Sequence, residues 1–184
     1  MPMRLRIKLR NLLIYYTGHG DIKNNNAYWI GTDSKKKISS DWLNVKDVDA
    51  AIGLIKAKDL LLMVDACYFG IRFKSNNSSD KKIIGPTEEQ MNDEKYFNKV
   101  LNRRSRLVMT SGNQEPVVDS LIDGHSPFAF IFLDILRNNT TYETTQSMFV
   151  KIAKYHAELS QNPSLYASVK WGHLGGDFVF VKKN

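Results

Sequence analysis

Two short segments of this chain carry side chains that could perform acyl transfer. Thr17-Gly18-His19-Gly20 follows one apolar run, and Asp65-Ala66-Cys67 follows another about 50 residues later. A cysteine thiolate is a strong nucleophile, and a nearby histidine can raise its reactivity and protonate a leaving amine. Gly20 allows the backbone to approach a substrate closely, so its N–H and that of Cys67 could stabilise an oxyanion. The segments together predict a His19–Cys67 dyad.

Each of these residues also has an ordinary structural interpretation. A cysteine after an apolar strand is commonly a small, inert core residue. A His-Gly pair can form a simple turn, and Asp65 can cap a helix. The occurrence of both segments in one chain favours the catalytic interpretation, because each follows a strand-like run and one helical pattern lies between them.

The elements that must position the dyad can be predicted from hydrophobic patterning. Residues 12–16 and 60–64 are short, continuous apolar runs, which are typical of strands buried on both faces. Between them, apolar residues recur at helical spacing from 40 to 56. A strand, a helix and a second parallel strand form a crossover unit, and ligands bind beyond the carboxyl ends of such strands. His19 and Cys67 are therefore expected at the same edge of one sheet.

The rest of the chain continues the alternation of strands and helices. Further strands are predicted at 27–30, 105–111 and 177–181, and further helices at 87–101, 128–136 and 145–159. Residues 74–86 are rich in Ser, Asn and Lys, which predicts an exposed loop. The pattern predicts a single α/β domain over residues 1–184, with a mostly parallel sheet.

Composition limits the possible partners and compartments. The single cysteine excludes an intrachain disulfide and a zinc site of several thiolates. No apolar run reaches bilayer length and no signal-peptide pattern is present, so a cytoplasmic protein without a membrane partner is expected. The net charge of +7 comes from lysines scattered among asparagines without interleaved stacking aromatics, which argues against a nucleic-acid partner. No cofactor is predicted.

The two chemical segments resemble the histidine and cysteine blocks of the caspase and metacaspase group of cysteine peptidases. The resemblance continues, in family order, through residues 105–112, 124–128, 161–163 and 172–180. It implies a caspase-like three-layer sandwich with helices on both faces of the sheet. It also implies Cys67 as nucleophile, His19 as general acid and base, and the backbone amides of Gly20 and Cys67 as the oxyanion hole.

The same resemblance suggests which substrates are cleaved. The position of Asp65 is a glutamine in caspases, which cleave after aspartate, and an aspartate in metacaspases, where it helps to select arginine or lysine. A buried carboxylate at a pocket floor favours a cationic side chain by charge pairing. We therefore expect cleavage after Arg or Lys, with Asp65 and Thr17 in the substrate pocket.

One departure from the family concerns the N-terminus. Family domains have a strand, a helix and a second strand before the histidine block, whereas this chain begins almost at that block. The expected consequence is an incomplete sheet that leaves the 12–16 strand with an apolar edge. A partner chain or self-association would complete it.

The resemblance also bears on two regulatory features of the family. The basic loop at 74–86 suggests self-cleavage after Lys74, Lys81 or Lys82. Calcium activation is known in part of the metacaspase group, but the aspartates here show no ligand spacing.

Other functional classes remain open at this stage. The chain could be a catalytically impaired caspase-like scaffold or half of a split protease. It could also belong to a legumain-like or gingipain-like family with the same His-Gly and Ala-Cys arrangement, or bind nucleic acid. His125 and His173 lie in glycine-containing loops and are interpreted as loop residues, and His156 as a surface or core residue of a helix.

Overall fold

The chain folds into a mixed α/β structure built on a five-stranded sheet. The computed structural model describes residues 10–34, 39–66, 80–83, 87, 93–112, 124–159 and 161–183. The strands are β1 (Asn11–Thr17), β2 (His19–Lys23), β3 (Asn26–Ile30), β4 (Leu43–Asn44), β5 (Asp59–Asp65), β6 (Asp80–Ile83), β7 (Arg106–Thr110), β8 (Tyr142–Thr144), β9 (Ser164–Ser168) and β10 (Val179–Val181). The helices are α1 (Val45–Gly53), α2 (Glu94–Asn102), α3 (Pro127–Asn138) and α4 (Thr145–Tyr155), with 3-10 turns at Ser39–Asp41 and His156–Glu158.

The main sheet has the strand order β1-β5-β7-β9-β6. β1, β5 and β7 are parallel neighbours, β9 is antiparallel to β7, and β6 is antiparallel to β9. Four of these five described strands therefore run in the same direction, which confirms the mostly parallel α/β sheet predicted from the sequence. Two smaller sheets, β2-β3-β4 and β8-β10, are antiparallel.

β5 lies inside the main sheet, and all seven of its residues are buried. Its side chains alternate between two apolar clusters. Leu61 and Met63 pack in a cluster that includes α3 and α4, whereas Leu60, Leu62 and Val64 pack in a cluster that includes α1. Both faces of β5 are thus apolar, which explains why its sequence is a continuous hydrophobic run rather than an alternating one.

The structure contains five strands that the sequence analysis did not predict, namely β2, β4, β6, β8 and β9. β2 pairs with β3 through a hairpin whose turn residues, Asn24 and Asn25, have φ of 50° and 59°. Asparagine tolerates this left-handed conformation, which two-residue hairpin turns require. Most of β2 is exposed to solvent, so its polar sequence gives little strand signal.

The predicted exposed loop at 74–86 needs a correction. Asp80–Ile83 forms β6, which pairs with β9 at the edge of the sheet, and Ile83 packs against the core. Edge strands commonly carry lysines that discourage further pairing, which is why Lys81 and Lys82 suggested a loop. Cleavage after either lysine would require this strand to open. Lys74 and the rest of the segment lie outside the described residues.

Two helix boundaries also differ from expectation. α1 begins at Val45, where Asn44 accepts a hydrogen bond from the Lys46 amide (2.9 Å), and not near residue 40. α2 begins at Glu94 behind the cap Asp93, whereas Thr87 is not helical. In both places the N-cap is an Asn or Asp directly before the helix, and not one of the Ser or Thr residues upstream that the sequence analysis favoured.

Asp177 is buried at the N-terminus of α4. Its carboxylate accepts hydrogen bonds from the backbone N–H groups of Gln146 (3.2 Å) and Phe178 (2.7 Å). Burial raises the pKa of Asp177 to about 7, although these hydrogen bonds act in the opposite direction. The folded chain therefore holds a proton at a pH where the unfolded chain has lost it.

This burial predicts a pH-dependent stability. Asp177 contributes stability that is fully present below about pH 4, the unfolded pKa, and is lost as pH rises through about 7. We expect Asp177→Asn to lower the free energy of unfolding but to reduce its slope between those limits by up to about 1.4 kcal/mol per pH unit. Urea unfolding of both proteins at several pH values measures the slopes, and parallel slopes would contradict the prediction.

No helix among the described residues combines the length and apolar character needed to cross a membrane.

Candidate active site

The register of β1 and β5 places the two chemical segments side by side. Thr17, the last residue of β1, is paired with Asp65, the last residue of β5. His19 and Cys67 each follow two residues later in the sequence. Cys67 itself lies outside the described residues. β1 and β5 are parallel neighbours, so their carboxyl ends lie at the same edge of the sheet, as the prediction of a shared edge requires.

His19 is held by its backbone at the start of β2, with its side chain exposed. The Tyr16 hydroxyl donates to the His19 carbonyl (2.8 Å), and the Tyr16 ring stacks on Trp29 at 4.0 Å between ring centres. Gly18, with φ of 154°, makes the bend between β1 and β2, and an added Cβ would lie 3.1 Å from the Tyr16 hydroxyl. Tyr16 therefore holds the backbone of His19 just beyond the end of β1.

Asp65 is almost fully buried, with 4% of its surface exposed. Its Oδ2 accepts hydrogen bonds from the Tyr15 hydroxyl (3.2 Å) and from Ser126 Oγ. Ser126 is the N-cap of α3, and its Oγ accepts from the Ala129 amide at 3.0 Å, so its own proton is free for Asp65. The other oxygen, Asp65 Oδ1, is buried and has no hydrogen-bond partner within the described parts of the chain.

The Tyr15 phenol is restricted to the role of donor. Burial, followed by the negative charge of Asp65 and the hydrogen bond to it, raises the pKa of Tyr15 well above its usual range. The phenol therefore stays protonated at any physiological pH. Tyr15 and Ser126 both direct a proton at the same carboxylate oxygen.

A cavity of about 530 Å³ opens beside Asp65. Three alternate residues of β1, namely Leu13, Tyr15 and Thr17, form one wall. Most of the remaining lining comes from the start of α3 and the residues before it: Gly124, His125, Ser126, Ala129, Phe132 and Leu133. Among the described residues of the lining, Asp65 is the only carboxylate. The cavity thus combines largely apolar walls with one buried carboxylate, which accepts hydrogen bonds from Tyr15 and Ser126.

The structure brings some of the predicted site residues together. Thr17 and Asp65 both line the cavity, and His19 follows Thr17 closely in the chain. Gly20 is half-buried in β2, opposite Trp29. Its proposed part in an oxyanion hole with Cys67 stays a prediction.

Of the other histidines, His125 lines the cavity, whereas His156 and His173 form hydrogen bonds with the backbone away from it. His156 is buried in the core and bonds through Nδ1 to the Ile152 carbonyl (2.9 Å); burial lowers its pKa. His173 accepts the Arg106 amide through Nδ1 (3.1 Å), and burial lowers its pKa as well. Because Arg106 is the first residue of β7, His173 lies at the sheet edge opposite Asp65.

Three residues of the site were missed by the sequence analysis: Tyr15, Tyr16 and Ser126. Tyr15 could have been found from strand alternation, because it shares a face with Thr17. The Ser126-Pro127 pair is a recognisable helix start, a capping serine followed by proline at the first helical position. Nothing local signals that Ser126 also reaches Asp65.

Comparison with protein-family models and with curated proteins gave no match for this chain.

The contact between Tyr16 and His19 leads to a testable prediction. Tyr16→Phe keeps the stack on Trp29 and removes the hydrogen bond to the His19 carbonyl, so His19 is held less firmly. If His19 is the general acid and base, kcat should fall about tenfold with little change in KM, because misplacement of a catalytic group raises the barrier more than it weakens binding. Steady-state kinetics of the variant test this, and a change confined to KM would contradict it.

Proposed function

We propose that this chain is a caspase-like cysteine endopeptidase that cleaves after arginine or lysine. The observation that carries the proposal is the Asp65 cavity: its buried carboxylate belongs to the residue two positions before Cys67, and the neighbouring strand β1 leads to His19. A strongly buried acidic group in a largely apolar pocket is the pattern expected of a binding site for a cationic side chain.

The proposed chemistry follows from the two residues at the strand ends. The Cys67 thiolate attacks the scissile carbonyl carbon, and the resulting oxyanion is stabilised by the N–H groups of Gly20 and Cys67. His19 then donates a proton to the leaving amine, which departs and leaves a thioester on Cys67. Water, deprotonated by His19, attacks the thioester, and cleavage of the C–S bond releases the acid product and restores the Cys67 thiolate beside protonated His19.

The cavity suits the side chain that the proposal assigns to it. The aliphatic stem of an arginine or lysine would contact Leu13, Ala129 and Phe132, and its charged end would lie towards the Asp65 carboxylate. An aspartate side chain would instead bring a second negative charge to a buried carboxylate, which is strongly unfavourable. The expected selectivity is therefore for cationic residues before the cleaved bond.

The caspase-like architecture is part of the same proposal. Its support is the alternation of β5 side chains between a cluster containing α1 and a cluster containing α3 and α4. We infer that helices cover both faces of the sheet, as in a three-layer sandwich.

Fluorogenic peptides that differ only in the residue before the cleaved bond test the proposal. We expect the purified chain to cleave after Arg or Lys and not after Asp, and Cys67→Ala to be inactive. Cleavage after Asp alone would contradict the role of Asp65. A folded chain that cleaves none of these peptides, with or without calcium, would contradict the peptidase proposal.

A second candidate is a scaffold or half of a split protease that needs a partner chain. The observation that favours it is the position of β1, which has β5 on one side and no described strand on the other. Leu13 of this strand is 38% exposed. In that case the monomeric chain would be inactive. Sedimentation velocity would show activity only in a larger species, formed either by two copies of the chain or by the chain and a partner.

A further inference from the structure

We propose that a second cavity, between helix α2 and the outer strands of the main sheet, binds a carboxylate that is carried on an apolar group. The cavity has a volume of about 500 Å³, and its described lining comes from β6, α2, α4, the end of β9 and the loop that follows β9. It shares no described lining residue with the Asp65 cavity. The inference does not depend on the peptidase activity proposed above.

The charges in the described lining are all positive. Lys99 lies in the last turn of α2 and Arg103 is its C-cap, four residues further on, and no residue of the described lining carries a carboxylate. Neither cation forms an ion pair with a carboxylate in the described part of the chain. Cations at this end of a helix also interact favourably with its carbonyl groups. What distinguishes this pair is that both cations line one concave site, where their attraction for an anion adds.

The loop after β9 fixes the position of Arg103. The backbone N–H groups of Leu174 and Gly176 donate to the Arg104 carbonyl (3.0 and 3.3 Å), which ties this loop to the end of α2. Gly175 has φ of 81°, and a Cβ added to it would lie 3.2 Å from an Arg103 guanidinium nitrogen. Because Gly175 has no side chain, the guanidinium can lie close to the loop backbone, at the cavity that both residues line.

His173 adds a neutral hydrogen-bond donor to the same lining. Its Nδ1 accepts the Arg106 amide at 3.1 Å, so the proton of the neutral ring is on Nε2. Burial lowers the pKa of His173, which keeps the ring neutral at pH 7. A ring in this tautomer can donate to an anion but has no free nitrogen with which to accept from a cation. His173 therefore favours the same kind of ligand as the two cations.

The apolar part of the lining restricts the class of anion. Ile83, Val100 and Ala167 line the cavity, and Val169, which is 47% exposed, extends this apolar surface towards solvent. A hydrated inorganic anion gains nothing from such walls, whereas an alkyl group attached to a carboxylate removes apolar surface from water. The cavity therefore suits an amphipathic carboxylate, a chemistry that fatty acids and the apolar C-terminal residues of peptides share.

The test compares two carboxylates with their matched neutral amides. Hexanoate, hexanamide, N-acetyl-leucine and N-acetyl-leucinamide are titrated into the native chain, and binding is followed by NMR of the Val100, Ala167 and Val169 methyl groups. We expect dissociation constants of about 1–10 mM for ligands of this size. At least one carboxylate should bind about fivefold or more tightly than its amide. Hexanoate alone would identify a fatty acid as the source, and N-acetyl-leucine alone a peptide C-terminus.

Three variants on one helix locate the charge that matters. Lys99→Gln and Arg103→Gln should each weaken carboxylate binding about threefold and leave amide binding unchanged. Lys95→Gln is the matched control, because it removes the same charge from an exposed residue one turn earlier that is outside the described lining. This control should change carboxylate binding by less than about 1.5-fold. All three side chains are exposed, so the fold should persist.

Several results would overturn the inference. These are equal affinities for each carboxylate and its amide, equal losses in Lys95→Gln and Lys99→Gln, and methyl shifts confined to residues outside the cavity. Inorganic phosphate that binds as tightly as both carboxylates would also overturn it, because the apolar walls would then contribute nothing. So would the absence of binding by the folded native chain at about 20 mM ligand. None of these results depends on peptide cleavage.

Discussion

Asp65→Asn is expected to lower kcat/KM for substrates with Arg or Lys before the cleaved bond by about 100- to 1,000-fold, since truncating one partner of a buried charge pair is strongly unfavourable. Asparagine has nearly the same shape but no charge, so the substrate cation would be buried against a neutral amide. A matched peptide with glutamine at that position should be cleaved no more slowly by the variant than by the native chain. The measurement is kcat/KM for the Arg, Lys and Gln peptides.

Asp59→Asn provides a matched control on the same strand. Asp59 is also buried and accepts the Ser105 amide at 3.0 Å, but it lies at the other end of β5. This variant should lose stability and keep the preference for Arg and Lys. Equal losses for the Arg and Gln peptides in Asp65→Asn would show that the carboxylate supports the fold and does not recognise the substrate.

The second large effect concerns the general acid and base. His19→Ala should lower kcat by about 100- to 10,000-fold, which is the usual contribution of a positioned proton donor and acceptor. The side chain of His19 is exposed, so the thermal stability of the variant should remain close to that of the native chain. Single-turnover kinetics and a thermal melt measure the two quantities.

His173→Gln is the corresponding control for His19. His173 accepts a backbone amide at the opposite edge of the sheet, so its replacement should affect stability more than kcat. The assignment of His19 would be wrong if both histidine variants lost activity to the same extent.

The parts of the fold that could be predicted are those with continuous hydrophobic runs. The run at 60–64 predicted β5 to within one residue at each end, and the helical pattern after residue 40 predicted the crossover that makes β1 and β5 parallel. These features depend on local patterning, which a sequence contains, and on the general rule that parallel neighbouring strands need a crossover between them.

The parts that could not be predicted depend on distant contacts. β6 has a charged sequence and becomes a strand only because β9 offers it a partner. Ser126 is a recognisable cap, but its bond to Asp65 joins residues 61 positions apart. Likewise, the carboxyl group of Asp65 was expected in a pocket, whereas its two hydrogen-bond donors, Tyr15 and Ser126, became visible only in three dimensions.

The most direct measurement is the mass of the intact protein after incubation with a lysine-directed peptidyl acyloxymethyl ketone. A thiolate that attacks this reagent displaces its carboxylate and keeps the peptidyl group as a stable thioether. We expect one adduct on Cys67, formed with the Lys and Arg reagents, absent with the Asp reagent and absent in Cys67→Ala. An unmodified, folded chain, or equal modification by all three reagents, would contradict a cysteine peptidase selective for cationic residues.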